Sequence, residues 1–115
     1  MTVIGTKYLY QCKSNYYKGI RPAREETYEE EGYKALVAIA IEYFDKQKEN
    51  EFIGFFQEYQ YNVNLWTAHL IIDYGKPNRI IIDQALEIIE RYSETPLDEE
   101  LALEEKKWLN NYLLS

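Results

Sequence analysis

The chain has few of the residues that build covalent or metal-based sites. Among its 115 residues one is a cysteine, Cys12, and one is a histidine, His69. A single cysteine cannot form an internal disulfide, which indicates a reducing compartment. A single histidine argues against a histidine-based metal site. We therefore expect no disulfide framework, no metal centre and no cofactor.

Long apolar runs are also missing. The longest apolar block covers residues 35–41 and ends at Glu42, far short of the roughly 18 apolar residues that a membrane helix needs. The first seven residues contain no stretch long enough for the apolar region of a signal peptide. We therefore expect a cytoplasmic protein with no membrane partner.

Basic charge is scarce over most of the chain. Residues 1–24 contain five basic residues and no acid, whereas residues 25–115 contain the other eight and all 20 acids, a net charge of −12 for that part. Such a body repels phosphates and attracts basic partners, although acidity also fits plain solubility.

Tyrosines alternate with lysines in residues 1–26, a pattern that can bind single-stranded nucleic acid. Because the body is acidic, we expect no nucleic-acid partner. We expect instead that these tyrosines cover an apolar edge while the lysines meet carboxylates.

Helical periodicity dominates the rest of the sequence. With 46% hydrophobic residues the chain is globular, and the three- and four-residue apolar spacing predicts an all-α fold. We expect about five helices in antiparallel hairpins, either a HEAT-like array or a compact bundle. Residues 1–26 form a basic, tyrosine-rich and less regular segment, either an extended arm or a helix over residues 6–17. Residues 27–115 form the helical domain, and the whole is a single domain.

Cap and breaker residues predict the helix ends. Five side chains are expected to cap successive helices: Thr27 (in a capping box with Glu30), Asn50, Asn62, Asn78 and Thr95. Gly54 lies inside a short helix and suggests a close helix crossing. Gly75 suits the left-handed position after a helix.

The stretch Val63–Tyr74 is apolar nearly all round, which predicts a helix sandwiched between neighbours. His69 and Asp73 lie four residues apart and share one narrow polar window. As an acid–base pair they would need a nucleophile or a substrate pocket, and the sequence indicates neither. We therefore expect a solvated stripe or a partner contact, no catalytic residue, and a protein that is not an enzyme.

Acidic and aromatic side chains give the candidate partner contacts. Asp83, Glu87 and Glu90 share the outer face of the next helix, either as a solvated face or as a stripe that attracts a basic partner. Tyrosine and tryptophan are enriched at binding hot spots. The full set of predicted partner-binding residues is Tyr59, Tyr61, Trp66, His69, Asp73, Asp83, Glu87 and Glu90.

Two successive helices carry a resemblance to a known family. The segments VNLWTAHLIIDYG and ALEIIERYS, followed by LDEELALEEKKWLNNY, resemble small bacterial all-helical domains with HEAT-like hairpins. The matching positions are Val63, Leu65, Trp66, Ala68, Leu70 and Ile71, then Ala85, Leu86, Ile88 and Glu90. The resemblance covers about residues 27–113, and the basic segment before it departs from the family pattern.

The resemblance implies a function in binding. Members of that family look like immunity proteins encoded beside polymorphic bacterial toxins, which bind and block a cognate toxin inside the producing cell. We therefore expect an immunity-type inhibitor of a basic toxin domain, such as a nuclease. The alternative is a helical scaffold or adaptor that holds an unrelated protein.

Overall fold

The computed structural model describes residues 2–115, and these form six α-helices. They are α1 (Val3–Lys18), α2 (Glu31–Asp45), α3 (Glu49–Ile53), α4 (Val63–Tyr74), α5 (Arg79–Ser93) and α6 (Glu99–Leu114). Short 3-10 turns cover residues 25–27, 54–57 and 60–62, and residues 2–115 contain no strand. The radius of gyration of 13.2 Å is that of a compact domain of this size. The all-α prediction is confirmed, as a bundle of pairwise-packed helices.

Helix α4 is the centre of the bundle. Every residue from Val63 to Ile71 is buried, and the helix contacts α1, α2 and α5. Such a helix has almost no polar face, so it is stable only when neighbours cover most of its circumference. The prediction of a sandwiched helix with these ends is confirmed.

The N-terminal segment is more regular than expected. Helix α1 begins after Thr2, whose hydroxyl accepts a hydrogen bond from a backbone N–H in the first turn, and it ends at Gly19 in the left-handed conformation. Tyr8 and Cys12 are fully buried in the core shared with α4, and the Tyr8 hydroxyl lies 2.8 Å from Thr67 Oγ1. The prediction of a less regular segment is therefore wrong, and the helical alternative suggested by the four-residue spacing is correct.

The predicted caps of the last two helices had different outcomes. Asn78 caps α5, because its side chain accepts a hydrogen bond from the N–H of Ile81 at 3.0 Å. Thr95 does not cap α6. Asp98 does so instead, accepting from the N–H of Leu101 at 3.1 Å, because the chain stays non-helical for three residues beyond Thr95.

The three earlier caps were predicted wrongly. Thr27 lies in a 3-10 turn and donates its hydroxyl to the Arg24 carbonyl at 2.7 Å, so α2 begins only at Glu31. Asn50 lies within the first turn of α3 rather than before it. Asn62 precedes α4 with φ 58°, whereas a side-chain cap needs extended backbone.

The close helix crossing is at a glycine that the sequence did not single out. Apart from its chain neighbours and the backbone of its own helical turn, no heavy atom of residues 2–115 lies within 4 Å of a Cβ built on Gly54. A Cβ on Gly32 would lie 2.2 Å from Oδ1 of Asn15, so α1 and α2 approach each other there. Gly75 has φ −88° and is not left-handed. It is needed because a Cβ would lie 2.8 Å from the Ile71 carbonyl oxygen.

Candidate functional site

One large surface depression is a groove rich in tyrosine. It has a volume of about 770 Å³ and lies where the end of α1, the turn before α4, the end of α5 and the start of α6 meet. Its principal lining residues are Tyr16, Tyr17, Arg21, Tyr59, Tyr61, Tyr92, Leu97, Asp98 and Leu101. The exposed fractions of Tyr16, Tyr17 and Tyr59 are 50%, 70% and 64%. The groove therefore presents aromatic surface to solvent.

Three of these rings contact one another. The ring centroids of Tyr16 and Tyr17 lie 5.5 Å apart with an interplanar angle of 89°. The Tyr61 ring lies 5.5 Å from Tyr16 and 5.9 Å from Tyr17. Edge-to-face contacts of this kind stabilise a fixed arrangement of rings. The Nζ of Lys13 lies 5.5 Å from the Tyr61 centroid, within cation–π distance.

The turn that carries Tyr61 is strained. Tyr61 (φ 53°, ψ 32°) and Asn62 (φ 58°, ψ 22°) are consecutive left-handed residues, a conformation that costs a bulky residue about 1 kcal/mol or more. The Asn64 N–H donates to the Glu58 carbonyl at 2.9 Å across the turn. The Gln60 N–H donates to the Glu58 carboxylate at 3.2 Å. These bonds hold the turn and its tyrosines against the groove.

Tyr92 forms a fixed wall of the groove. Its hydroxyl donates to Oδ1 of Asn64 at 2.6 Å, and the same oxygen accepts from the Leu65 N–H at 3.0 Å. Burial raises the pKa of Tyr92 to about 12. The neutral phenol thus ties α5 to the first turn of α4.

Arginines of the N-terminal segment bind the carboxylates at one end of the groove. Arg21 Nε lies 2.9 Å from Glu104 Oε1, and its Nη2 lies 2.7 Å from the other oxygen of that carboxylate. The same Nη2 lies 2.5 Å from Glu100, and Arg21 Nη1 is 3.6 Å from Asp98. Arg24 Nη1 also reaches Glu100, at 3.1 Å. Arginines, rather than the predicted lysines, therefore pair with the body, and three carboxylates surround two guanidinium groups.

His69 lies in the core. It is 2% exposed, and its Nε2 lies 2.6 Å from Oε1 of the fully buried Glu105 of α6. The Trp108 ring meets the imidazole edge-on, with centroids 4.5 Å apart. The prediction of a solvated window shared with Asp73 is wrong for His69, because α6 covers it, while Asp73 is exposed.

The structure brings together two of the predicted contact residues, Tyr59 and Tyr61, in the groove. Trp66 is fully buried, as His69 nearly is, so neither presents a side chain to a partner. Asp73, at the end of α4, does not line the groove.

The acidic stripe on α5 is exposed but partly neutralised along the helix. Asp83 pairs with Arg79 at 3.2 Å, and Glu87 pairs with Arg91. Glu90 is exposed on the same helix. The stripe therefore carries less net charge than its three carboxylates alone would give.

Sequence reasoning missed Tyr16, Tyr17, Tyr92 and Asp98 as groove residues. The sequence signal that could have identified Tyr17 was the four-residue spacing that suggested a helix in the N-terminal segment. A buried Tyr8–Cys12 face leaves Tyr17 on the outer side of the same helix, and its burial pattern agrees.

The described residues give little support for a metal site, a reactive cysteine or a membrane-spanning helix. Within residues 2–115 no group of three or more His, Cys, Asp or Glu side chains is placed to hold a metal ion. Cys12 is buried, and this burial raises the pKa of its thiol well above the usual range, which keeps it unreactive. None of the helices in the described part combines the length and apolar character needed to span a bilayer.

Comparisons of the chain with protein-family models, with curated proteins and with solved structures find no match. The resemblance to immunity-type helical domains therefore stays a prediction.

Proposed function

We propose that this chain is an immunity-type inhibitor that binds a bacterial toxin domain in the cytoplasm and blocks it by occlusion. The observation that supports this proposal is the groove, where exposed tyrosines from α1 and from the turn before α4 lie side by side. Inhibition of this kind requires no catalytic group, because a bound partner cannot reach its substrate.

The groove has the composition of a binding hot spot. Tyrosine supplies a large, rigid contact area with few rotatable bonds, so little conformational entropy is lost when a partner binds. The ring contacts and the hydrogen-bonded turn hold Tyr16, Tyr17 and Tyr61 in place before binding. Because these side chains are already ordered, less conformational entropy is lost on binding, and the affinity is higher.

The charge of the body favours a basic partner. Residues 25–115 have a net charge of −12, and an acidic surface speeds the encounter with a basic protein such as a nuclease. Glu90 on α5 and the carboxylates at the groove end contribute to this field.

The test is growth rescue by co-expression with the product of the adjacent upstream gene. We expect that product to arrest growth and the chain to restore it. Tyr17→Ala combined with Tyr59→Ala should abolish rescue. Tyr74→Ala should retain it, because Tyr74 is a half-exposed tyrosine at the opposite end of α4.

Two results would reject the inhibitor function. If the wild-type chain restores no growth, the proposal fails. If it binds the neighbouring product in a pull-down without restoring growth, the scaffold or adaptor alternative is correct.

A further inference from the structure

We propose that the groove takes an arginine side chain from a loop of the protein partner, with the guanidinium against the tyrosine rings and bonded to Asp98, an assignment that rests on the partner-binding function proposed above. The tyrosines Tyr16, Tyr17 and Tyr61 and the carboxylate of Asp98 line this one depression. An arginine offers both a flat face for the rings and donors for the carboxylate.

One of these tyrosine rings already lies close to a cation. The Nζ of Lys13 lies 5.5 Å from the centre of the Tyr61 ring. A guanidinium is planar and less strongly hydrated than an ammonium group, so it stacks on a tyrosine more readily. Because Tyr16 and Tyr17 are at least half exposed, their rings remain accessible to a side chain that enters from solvent.

Asp98 has acceptor capacity left. One of its oxygens accepts the Leu101 N–H at 3.1 Å. The other lies 3.6 Å from Arg21 Nη1, beyond ordinary hydrogen-bond distance, and the side chain is 47% exposed. A charge-assisted bond from an incoming guanidinium would use this oxygen.

The charge balance at this end of the groove also favours a cation. Arg21 and Arg24 pair with four carboxylates, those of Glu26, Asp98, Glu100 and Glu104, so this cluster has a net charge of −2. An arriving arginine would reduce this negative charge, whereas an acidic side chain would be repelled. An apolar side chain would cover the rings and leave Asp98 without a new partner.

The test is an NMR titration with the amidated peptide Gly-Ser-Arg-Ser-Gly and with the same peptide carrying citrulline instead of arginine. Citrulline keeps the shape of arginine but has no charge. We expect the arginine peptide to shift the ring signals of Tyr16, Tyr17, Tyr59 and Tyr61 and to leave Tyr74 unchanged. The citrulline peptide should bind about fivefold more weakly, the ratio expected when a solvent-exposed charged hydrogen bond becomes a neutral one.

Two variants locate the contact. Asp98→Asn keeps a side-chain oxygen that can cap α6 but removes the charge, and should weaken arginine-peptide binding about fivefold. Tyr17→Leu should weaken it about threefold, the loss expected for one exposed cation–π contact. Tyr74→Leu is the matched control and should have no effect on binding.

Three results would overturn the arginine assignment. They are equal chemical-shift changes with both peptides, no chemical-shift changes in the groove, and unchanged arginine-peptide binding by Asp98→Asn. Such a result together with groove-dependent growth rescue would leave the inhibitor function standing with a different anchor. Arginine binding in the groove without growth rescue would support the anchor and reject the inhibitor function.

Discussion

Nε2 of His69 lies 2.6 Å from Oε1 of Glu105, and this contact joins α4 to α6 inside the core. The side chains are 3% and 0% exposed, and neither His69 Nδ1 nor Glu105 Oε2 finds a hydrogen-bond partner among residues 2–115. Burying two such polar groups costs desolvation free energy that largely offsets what their mutual hydrogen bond contributes. The pair therefore fixes how α6 sits on α4 more than it adds stability.

Replacing only one of these two side chains should destabilise the fold far more than replacing both. His69→Leu leaves a buried carboxyl group without its hydrogen-bond partner, so we expect the free energy of unfolding to fall by about 1–3 kcal/mol. The double variant His69→Leu/Glu105→Leu should recover most of this loss. These free energies of unfolding can be measured by urea unfolding of the wild type, both single variants and the double variant. A double variant as unstable as the worse single variant would mean that the pair itself stabilises the fold.

Replacing each of two glycines by alanine should change the stability of the fold in opposite directions. Gly32→Ala places a methyl group against the Asn15 side chain at the crossing of α1 and α2. We expect a loss of about 1–3 kcal/mol from overpacking. Gly54→Ala meets open space and should raise stability by about 0.5–1 kcal/mol, because the unfolded chain loses freedom. Thermal unfolding compares the two, and equal changes would contradict the close approach at Gly32.

Half-buried tyrosines should make the fold sensitive to high pH. Burial raises the pKa of Tyr28 and of Tyr92 to about 12, compared with about 10 in the unfolded chain. The folded state thus holds these protons more tightly. The resulting stability is complete below about pH 10 and is lost as the pH rises through about 12. Urea unfolding across this range measures it, and Tyr28→Phe should reduce the pH dependence. Tyrosinate absorbance rising in one step near the unperturbed pKa would contradict this.

The acidic face of α5 should affect how fast a partner arrives. Charge reversal at Asp83, Glu87 and Glu90 should slow association and leave dissociation nearly unchanged, because rim charges act mainly through steering. The loss of the pairs with Arg79 and Arg91 should cost only a few tenths of a kcal/mol each. Stopped-flow association at low and high salt measures the effect. Unchanged association rates at low salt would remove this face from the interface.

Local patterns in the sequence predicted much of the fold. The all-round apolar pattern of residues 63–74 marked α4 with its observed ends, and Asn78 marked the start of α5. Such signals depend on residues three or four positions apart, which touch within a single helix. The predicted cap at Thr27 was wrong because its hydroxyl donates a hydrogen bond to a carbonyl oxygen of the preceding turn, and does not accept one from an N–H of α2.

The sites depend on long-range contacts, which local patterns do not encode. Glu105 lies 36 positions from His69, and no spacing rule pairs them, so His69 was assigned to Asp73 instead. The groove joins α1, the turn before α4, α5 and α6. Tyr59 and Tyr61 were found because they lie close together in the sequence. Tyr17 was missed because it reaches them only through the packing of α1.

The central claim is that the tyrosine groove binds a protein partner. The most direct test is the dissociation constant, by isothermal titration calorimetry, of the complex with a catalytically inactive form of the product of the neighbouring gene. We expect Tyr17→Ala/Tyr59→Ala to weaken this complex on the order of a hundredfold, as the loss of two hot-spot rings would. Tyr74→Ala should leave it unchanged. Equal affinity for the wild type and the groove variant would contradict the claim.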